Sequence, residues 1–276
     1  MLTLLPTPIG NVEDISLRAL RVLEGAEILL CEDTRVARKL LGLLAERHGL
    51  SHRIETFIPF HSHNEKELLA TFDPSFFERN VVYMSDAGMP CISDPGALLV
   101  DYCQRHGIGY TVLPGPTAFA TAFAASGFLE GRFLFYGFLP HKGKERETEL
   151  QRILGEPWPV ILYEAPHRMR KLLDELAETA PRRTLFAAKE ISKRHERFFK
   201  GCAEELRSEI TGSLLKGEWV VVLSAGSDRK RGAALALSDI EALDLPPKQK
   251  AKLLSKMTGE SVKRCYERLL GGTSGR

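Results

Sequence analysis

Residues 81–96 read VVYMSDAGMPCISDPG, an apolar run that breaks into a loop holding two residues each of Gly, Pro, Asp and Ser. Gly reaches positive φ, Pro fixes φ, and Asp or Ser accepts hydrogen bonds from nearby backbone N–H groups. An ordinary turn needs only about two to five residues. Because long ordered loops at the carboxyl end of a strand are often functional, we interpret this loop as part of a ligand site.

Strand-like and helical segments alternate on both sides of this loop. Before it, a helix over residues 34–48 is predicted to have Thr34 as its N-cap and to stop at Gly49. After it, Asp94 is predicted to cap a helix with Pro95 at its first position. This alternation predicts an α/β fold with a mostly parallel sheet, whose ligands lie beyond the carboxyl ends of the strands.

A second series of strand-like runs follows, and the chain ends in a basic tail. The length of 276 residues fits about two domains of ~150 residues. We predict an N-terminal α/β domain over residues 1–116, a second α/β domain over 117–226, and a helical tail over 236–276. The tail pattern of helix, Gly-containing turn and helix fits a helix-turn-helix-like unit and a plain helical hairpin equally well.

Composition indicates a globular protein of the cytoplasm. Hydrophobic residues make up 43% and charged residues 27% of the chain. No stretch approaches 18 uninterrupted apolar residues, so no membrane span is expected, and the N-terminus lacks the basic start of a signal peptide. The five cysteines are scattered without a CxxC pair, which predicts reduced thiols and no metal site.

The net charge of +2 hides two basic regions. Residues 228–276 hold eleven Lys/Arg against six Asp/Glu, and residues 182–200 hold seven against two. Basic faces are usually only solvated, but two of them in one chain favour a polyanionic partner. The chain lacks G-x-G-x-x-G after a first strand, the P-loop, G-x-S-x-G and HExxH, which excludes the common dinucleotide, NTPase, hydrolase and metalloprotease signatures.

Six loops rich in Gly, Pro or charge each end a predicted strand. They are TPIGN (7–11), CEDTR (31–35), SDAGMP (85–90), LPGPT (113–117), YEAPHR (163–168) and AKEISK (188–193). Where few side chains intervene, backbone N–H and C=O groups can approach a ligand closely. This pattern predicts a polar cofactor that is held by main-chain contacts from both halves of the chain.

Taken together with HNE, F-x-G-F-L-P and KE, these motifs resemble the ribosomal RNA small subunit methyltransferase I family. The resemblance covers residues 2–226, and the basic tail is similar to the helical extension of that family. It implies a tetrapyrrole methylase-like, class III methyltransferase fold: two α/β domains with mixed sheets and a small helical tail. It also implies a homodimer that uses S-adenosylmethionine (SAM) to methylate the 2′-hydroxyl of a cytidine in the decoding region of 16S rRNA, within the small ribosomal subunit.

The same resemblance implies which residues hold SAM. The implied cofactor-binding residues are Ser85, Asp86, Ala87, Gly88, Pro90, Leu113, Pro114, Gly115, Pro116, Tyr163 and Glu164.

Polar residues at strand ends are candidates for catalysis and RNA binding. A ribose hydroxyl is a weak nucleophile at neutral pH, and a general base contributes about 10²–10⁴-fold. We predict that Lys189 or Glu190 lies nearest the hydroxyl, although an ion pair between them is an equally good reading. The predicted substrate-binding residues are Asp33, Arg35, His167, Arg168, Lys193 and Arg194. Asp33 could instead cap the helix that follows it.

Two other functions fit the sequence. The same fold could methylate a tetrapyrrole, which leaves the basic tail without a purpose. A ribosome-assembly protein without catalytic activity would keep the basic surface and would not bind SAM.

Overall fold

The computed structural model describes residues 1–226, 237, 240 and 243–271. The chain forms two compact units, Met1–Gly226 and Ser227–Arg276. The first unit contains two five-stranded sheets, one formed before residue 116 and the other after it. The division of this unit into domains at residue 116 stays a prediction.

The first sheet is entirely parallel, as the alternation of strands and helices predicts, with the strand order β3-β2-β4-β1-β5. Its strands are β1 Leu2–Leu4, β2 Ile28–Cys31, β3 Thr56–Pro59, β4 Val81–Met84 and β5 Tyr110–Val112, and its helices are α1 Leu17–Glu24, α2 Thr34–His48, α3 Glu65–Thr71 and α4 Ala97–Arg105. Strands β1, β2 and β4 are buried on both faces, which explains their continuous apolar runs.

The second sheet is mixed, with the order β6-β7-β10-β8-β9. Its strands are β6 Leu134–Phe138, β7 Val160–Glu164, β8 Thr184–Lys189, β9 Arg197–Cys202 and β10 Trp219–Leu223, and its helices are α5 Ala118–Ser126, α6 Gly143–Leu154, α7 Pro166–Thr179 and α8 Ala203–Glu209. Only β6 and β7 pair in parallel; the other three pairs are antiparallel. The ends of β6, β7 and β8 therefore share one edge with the start of β10.

Two predicted helix caps are wrong. Asp33, not Thr34, caps α2, since its carboxylate accepts from the backbone N–H of Arg35 at 2.8 Å, while Gly49 ends the helix as predicted. Gly96, not Asp94, precedes α4, and its φ of 118° is open to glycine but strained for other residues. No side chain caps this helix, and Asp94 instead lines the site described below.

The second unit is a helical hairpin in the described residues. Helix α9 Pro247–Thr258 and helix α10 Val262–Gly271 are joined at Gly259, as the tail pattern predicts. Their small core contains Ala251, Leu254 and Cys265. Part of the predicted tail, residues 236, 238, 239, 241, 242 and 272–276, lies outside the described residues.

Candidate active site

The loops that follow β1 and β4 are joined by backbone pairing. Thr7 and Gly88 exchange N–H···O=C hydrogen bonds of 2.9 and 3.0 Å, and the Thr7 hydroxyl donates to the Ser85 carbonyl at 3.2 Å. Ser85 and Thr7 are both buried. Adjacent parallel strands end at the same edge of the sheet, so these two Gly-containing loops form one continuous wall.

The loop after β2 is tied to the same wall by carboxylates. Glu32 accepts from the backbone N–H of Asp86 at 3.1 Å, and Asp86 accepts from the N–H of Asp33 at 3.2 Å. Burial raises the pKa values of both Glu32 and Asp86. Asp33 differs, because its side-chain hydrogen bond with Arg35 lowers the pKa of Asp33 to about 2.

The edge of the second sheet faces this wall. The backbone N–H of Phe119 donates to the Tyr163 hydroxyl at 3.2 Å, which connects the start of α5 to the end of β7. Glu164 is fully buried and forms ion pairs with Arg146 at 3.2 Å and Arg168 at 2.9 Å. These contacts fix the position of the carboxyl end of β7.

A cavity of about 340 Å³, which we call the aromatic cavity, lies where the two sheets meet. It is lined by Ile9, Ala87, Gly88, Met89, Ile92, Asp94, Thr117, Ala118, Phe119, Phe138, Tyr163, Glu164, Ala165, Pro166, Glu218, Trp219 and Val220. Four of the six motif loops contribute to it, as the prediction of one shared site requires. Residues 31–35 do not line it, and neither does the loop 188–193.

The predicted cofactor residues divide into three groups. Ala87, Gly88, Tyr163 and Glu164 line the aromatic cavity. Ser85 and Leu113 are buried behind it, and Leu113 belongs to the core of the first sheet. The remaining predicted residues, Asp86, Pro90, Pro114, Gly115 and Pro116, lie in the same loops but not on the cavity surface.

Asp94 is a site residue that the sequence interpretation missed. Burial, and then the nearby Glu32, raise the pKa of Asp94 from 3.8 to about 7. Among the described residues Asp94 has no ion pair, whereas the other two carboxylates of the cavity are paired, Glu164 with arginines and Glu218 with Lys193 at 2.9 Å. A side-chain hydrogen bond with Ser85 offsets part of this rise in pKa. A half-buried carboxylate without an ion pair, in an apolar cavity, is a candidate binding group for a cation.

Glu218, Trp219 and Val220 were also missed, and no local signal marks them. They begin β10, which pairs antiparallel with β7, so that Trp219 lies directly opposite Glu164. Aromatic walls from Trp219, Phe119 and Phe138 give the cavity its apolar character.

The structure does not bring Lys189 and Glu190 to the aromatic cavity. Lys189 shares the sheet face of Leu185 and Ala187, whereas Phe186 and Ala188 face α5 and Tyr163. Burial raises the pKa of Glu190, but the Glu218 N–H at 2.8 Å and Lys193 outweigh it, so the net pKa of Glu190 is lowered. A carboxylate held in this way is a weak base.

The predicted substrate-binding residues lie apart from one another. Arg168 donates to the carbonyl of Leu139 at 2.6 Å and forms an ion pair with Glu164. Because its guanidinium group already has these partners inside the protein, Arg168 is a poor candidate for a contact with RNA. Arg35, His167 and Arg194 are exposed, and Asp33 is half-buried beside Arg35. Lys193 lines a second cavity of about 700 Å³, which we call the polar cavity and which is lined by Ile9, Asn11, Asp14, Gly115, Pro116, Thr121, Ile191, Ser192, Lys193 and Glu196.

Comparison with known proteins identifies the class. Residues 1–207 match the family model described as Tetrapyrrole (Corrin/Porphyrin) Methylases. Two solved structures share the fold: uroporphyrin-III C-methyl transferase from Thermus thermophilus complexed with S-adenyl homocysteine (TM-score 0.54, 18% identity, 82% of this chain and 97% of that chain) and diphthine synthase (TM-score 0.60, 15% identity, 81% and 89%). The chain belongs to the tetrapyrrole methylase family of SAM-dependent methyltransferases.

Curated relatives narrow this class to one branch. Ribosomal RNA small subunit methyltransferase I of Helicobacter pylori (strain ATCC 700392 / 26695) is 48% identical over 284 residues, covering 98% of each chain. The protein of the same name from Campylobacter fetus subsp. fetus (strain 82-40) is 47% identical over 271 residues, covering 98% of this chain and 100% of its own. This chain is therefore a member of the ribosomal RNA small subunit methyltransferase I family.

The aromatic cavity fits SAM. Its volume of about 340 Å³ falls in the range of small-molecule sites, roughly 300–1,000 Å³. Its aromatic walls suit an adenine ring, and Asp94 offers a negative charge for a ligand that carries a sulfonium and an ammonium group.

None of the helices in the described residues has the length and apolarity needed to cross a membrane.

Proposed function

We propose that this chain transfers a methyl group from SAM to the 2′-hydroxyl of a cytidine in the decoding region of 16S rRNA. The observation that carries the proposal is the aromatic cavity, where loops of both sheets enclose a space with one carboxylate, Asp94, that has no ion pair in the part of the chain that the structure describes. The names of the curated relatives support ribosomal RNA as the substrate.

When bound, SAM supplies an electrophilic methyl group on a sulfonium, and in-line transfer requires an aligned acceptor oxygen. Asp94 would hold a cationic group of SAM, while Phe119, Phe138 and Trp219 would exclude water and offer apolar surface to the adenine. The backbone at Ala87 and Gly88 adds polar groups with little side-chain bulk. A catalytic role for Lys189 or Glu190 stays a prediction. Neither residue lines the aromatic cavity, but Glu190 accepts a hydrogen bond from the Glu218 N–H, and the Lys189 ammonium lies 5.9 Å from the centre of the Trp219 ring.

RNA binding would use exposed cations on both units. On α9, Lys248, Lys252 and Lys256 are exposed and spaced by four residues, so they form one basic stripe. In the first unit, Arg182, Arg194 and Arg197 are exposed. Because phosphate contacts release counterions, the affinity should fall steeply with salt. A homodimer, and a cytoplasmic location where small ribosomal subunits are found, belong to the same proposal.

The decisive experiment offers methyl-labelled SAM with small ribosomal subunits, bare 16S rRNA and a uroporphyrinogen. We expect label in the RNA, on the 2′-oxygen of one cytidine, which alkaline hydrolysis followed by mass spectrometry of the resistant dinucleotide would reveal. Label only in the tetrapyrrole would overturn the proposal. Absence of saturable SAM binding in calorimetry would favour the assembly protein without catalytic activity.

A further inference from the structure

A row of four side chains crosses the second sheet beside the aromatic cavity. The strand register places Trp219 opposite both Glu164 on β7 and Lys189 on β8, and it places Lys189 opposite Arg197 on β9. Residues directly opposite one another in antiparallel strands share one face of the sheet. The row therefore runs from Glu164 and Trp219, which line the aromatic cavity, to Lys189 and Arg197 at the outer edge of the sheet.

The two cations of this row lack an anion. Lys189 is only 8% exposed, and within the part of the chain that the structure describes its ammonium forms no hydrogen bond and no ion pair. Arg197 is exposed and likewise has no ion pair among the described residues. Like charges directly opposite each other destabilise a sheet, and a buried charge without a partner is costly. An arrangement that breaks both rules points to an anionic ligand.

The neighbouring carboxylates do not supply this anion. Glu164 is held by two arginines, and Glu196 accepts a backbone N–H of its own loop at 2.7 Å. Glu190 interacts electrostatically with Lys189, but its carboxylate is paired with Lys193 at 3.4 Å. Lys189 Nζ is not among the described polar atoms that are fully buried without a partner, so the tip of this side chain still reaches solvent. An external anion can therefore contact it.

We propose that Lys189 and Arg197 together bind one backbone phosphate of the RNA, adjoining the nucleotide that is methylated. This inference rests on the proposed function and deepens it. Lysine and arginine both bind phosphate through charge-assisted hydrogen bonds. The Lys189 ammonium lies 5.9 Å from the centre of the Trp219 ring, so the phosphate would be separated from the aromatic cavity by that ring.

This position suits the reaction. A phosphate that adjoins the target nucleotide is bonded to the same ribose that carries the 2′-hydroxyl. Cations that hold this phosphate therefore also fix the acceptor oxygen beside the methyl donor. In this role Lys189 contacts the substrate through its charge and does not remove a proton from the hydroxyl.

The test compares Lys189→Met and Lys189→Arg with the unaltered enzyme. Methionine removes the charge, so kcat/KM on small ribosomal subunits should fall about tenfold to a hundredfold. In filter binding to 16S rRNA, Lys189→Met should reduce the slope of log affinity against log salt by roughly 0.7–0.9. Arginine keeps the charge and cannot act as a base at neutral pH. Lys189→Arg should therefore keep the salt slope and recover most of kcat/KM.

Arg197→Gln tests whether the two cations share one phosphate. Groups that bind one partner are energetically coupled. The double variant with Lys189→Met should therefore lose less kcat/KM than the product of the two single losses. If the losses simply multiply, the cations act independently and the shared phosphate site is wrong.

Folding and SAM binding are measured separately. Lys189→Met removes a buried charge that has no ion pair, so its urea midpoint should be equal to or higher than that of the unaltered protein. Its calorimetric SAM affinity should stay within about twofold, because Lys189 does not line the aromatic cavity. Lys39→Met is the matched control, since Lys39 is an exposed lysine on α2 of the first sheet, and its kcat/KM and salt slope should not change.

The outcomes separate this inference from the proposed function. If the unaltered enzyme methylates the RNA while Lys189→Met matches it in kcat/KM and salt slope, the inference is wrong and the proposed function stands. If Lys189→Met and Lys189→Arg are equally inactive with unchanged salt slopes, Lys189 acts as a base and the phosphate site is wrong. If the unaltered enzyme methylates no RNA, both proposals fall.

Discussion

Trp219 lies directly opposite Glu164 in the antiparallel pairing of β10 with β7. This register places the start of β10 beside the end of β7, so residues 55 positions apart along the chain line one cavity. Glu164 contributes the polar wall and is held by two arginines, while Trp219 contributes the apolar wall. If β10 ran parallel to β7, the carboxyl end of β10 would lie beside the end of β7, and Trp219 would lie at the opposite edge of the sheet, away from the cavity.

The contact between Gly10 and the loop at Ser192 leaves no room for a side chain. A Cβ on Gly10 would lie 2.5 Å from Lys193 Cγ and 2.7 Å from the backbone carbon of Ser192. We expect Gly10→Ala to separate the two loops, lowering the free energy of unfolding by about 1–3 kcal/mol and weakening methyl transfer. Urea denaturation and a methylation assay would measure both effects.

Gly42→Ala is the matched control for that substitution. Gly42 lies within α2 on its exposed side, and a Cβ there meets nothing within 4 Å. Alanine is favoured over glycine inside a helix, so we expect stability to rise by about 0.5–1 kcal/mol. Equal behaviour of the two variants would contradict the close packing at Gly10.

Asp94→Asn should remove a pH dependence of SAM binding. The raised pKa of Asp94, about 7, means that the carboxyl is protonated below neutrality and loses its attraction for a cation. We expect SAM affinity of the unaltered protein to fall by up to about tenfold per pH unit below pH 7, following the protonated fraction. The asparagine variant should bind weakly at all pH values. Calorimetry between pH 5.5 and about 7.5 checks this, and parallel profiles for the two proteins would refute it.

The protonation of Asp94 should also make the free energy of unfolding depend on pH. Whereas SAM affinity should rise with pH, the contribution of Asp94 to folding stability should fall. Its pKa is raised from 3.8 to about 7 in the folded state, so the folded state binds more protons between these values. The contribution of Asp94 to stability is therefore greatest at low pH and declines as pH rises toward 7. Relative to the unaltered protein, Asp94→Asn should gain stability from pH 5 to about pH 8 in urea titrations. A constant difference would show that the pKa is not raised.

Removal of Arg146 should be strongly destabilising. Its side chain is 1% exposed and pairs with Glu164 and with Glu175 at 2.8 Å. Arg146→Met would leave buried carboxylate charge poorly compensated, and we expect a loss of about 3–5 kcal/mol. Arg105→Met is the control: its pair with Asp101 is exposed, and its loss should cost under about 1 kcal/mol. Similar losses for the two variants would mean that the buried network is not a stabilising feature of β7.

Replacing exposed arginines should change how RNA binding responds to salt. If Arg194 and Arg197 each contact one phosphate, Arg194→Gln and Arg197→Gln should each reduce the slope of log affinity against log salt by roughly 0.7–0.9. Arg47→Gln is the control, because this exposed residue lies at the end of α2 remote from the carboxyl edge of the sheet. Filter binding to 16S rRNA at several salt concentrations measures the slopes. Unchanged slopes in the first two variants would remove these residues from the RNA surface.

Much of the fold was predictable because its signals are local. Apolar runs with intervening helical patterns predicted the parallel first sheet, and Gly49 marked the end of α2. Strand β9 and helices α5 and α8 were missed. The basic residues around Phe198 and Phe199 masked β9, and the all-round apolar composition of residues 118–126 gave α5 no polar face.

The sequence by itself determined the loops: Gly, Pro and Asp at strand ends specify backbone shape over a few residues, and their combination marks the family. Tertiary structure alone decided which loops share a cavity, which side chains contact one another there, and which of them are charged. Asp14 and Ser192, whose side chains meet at the polar cavity, are 178 positions apart in the chain. The charge state of Asp94 likewise depends on burial by residues of several strands and loops. Such contacts depend on strand order and register, which no local pattern encodes.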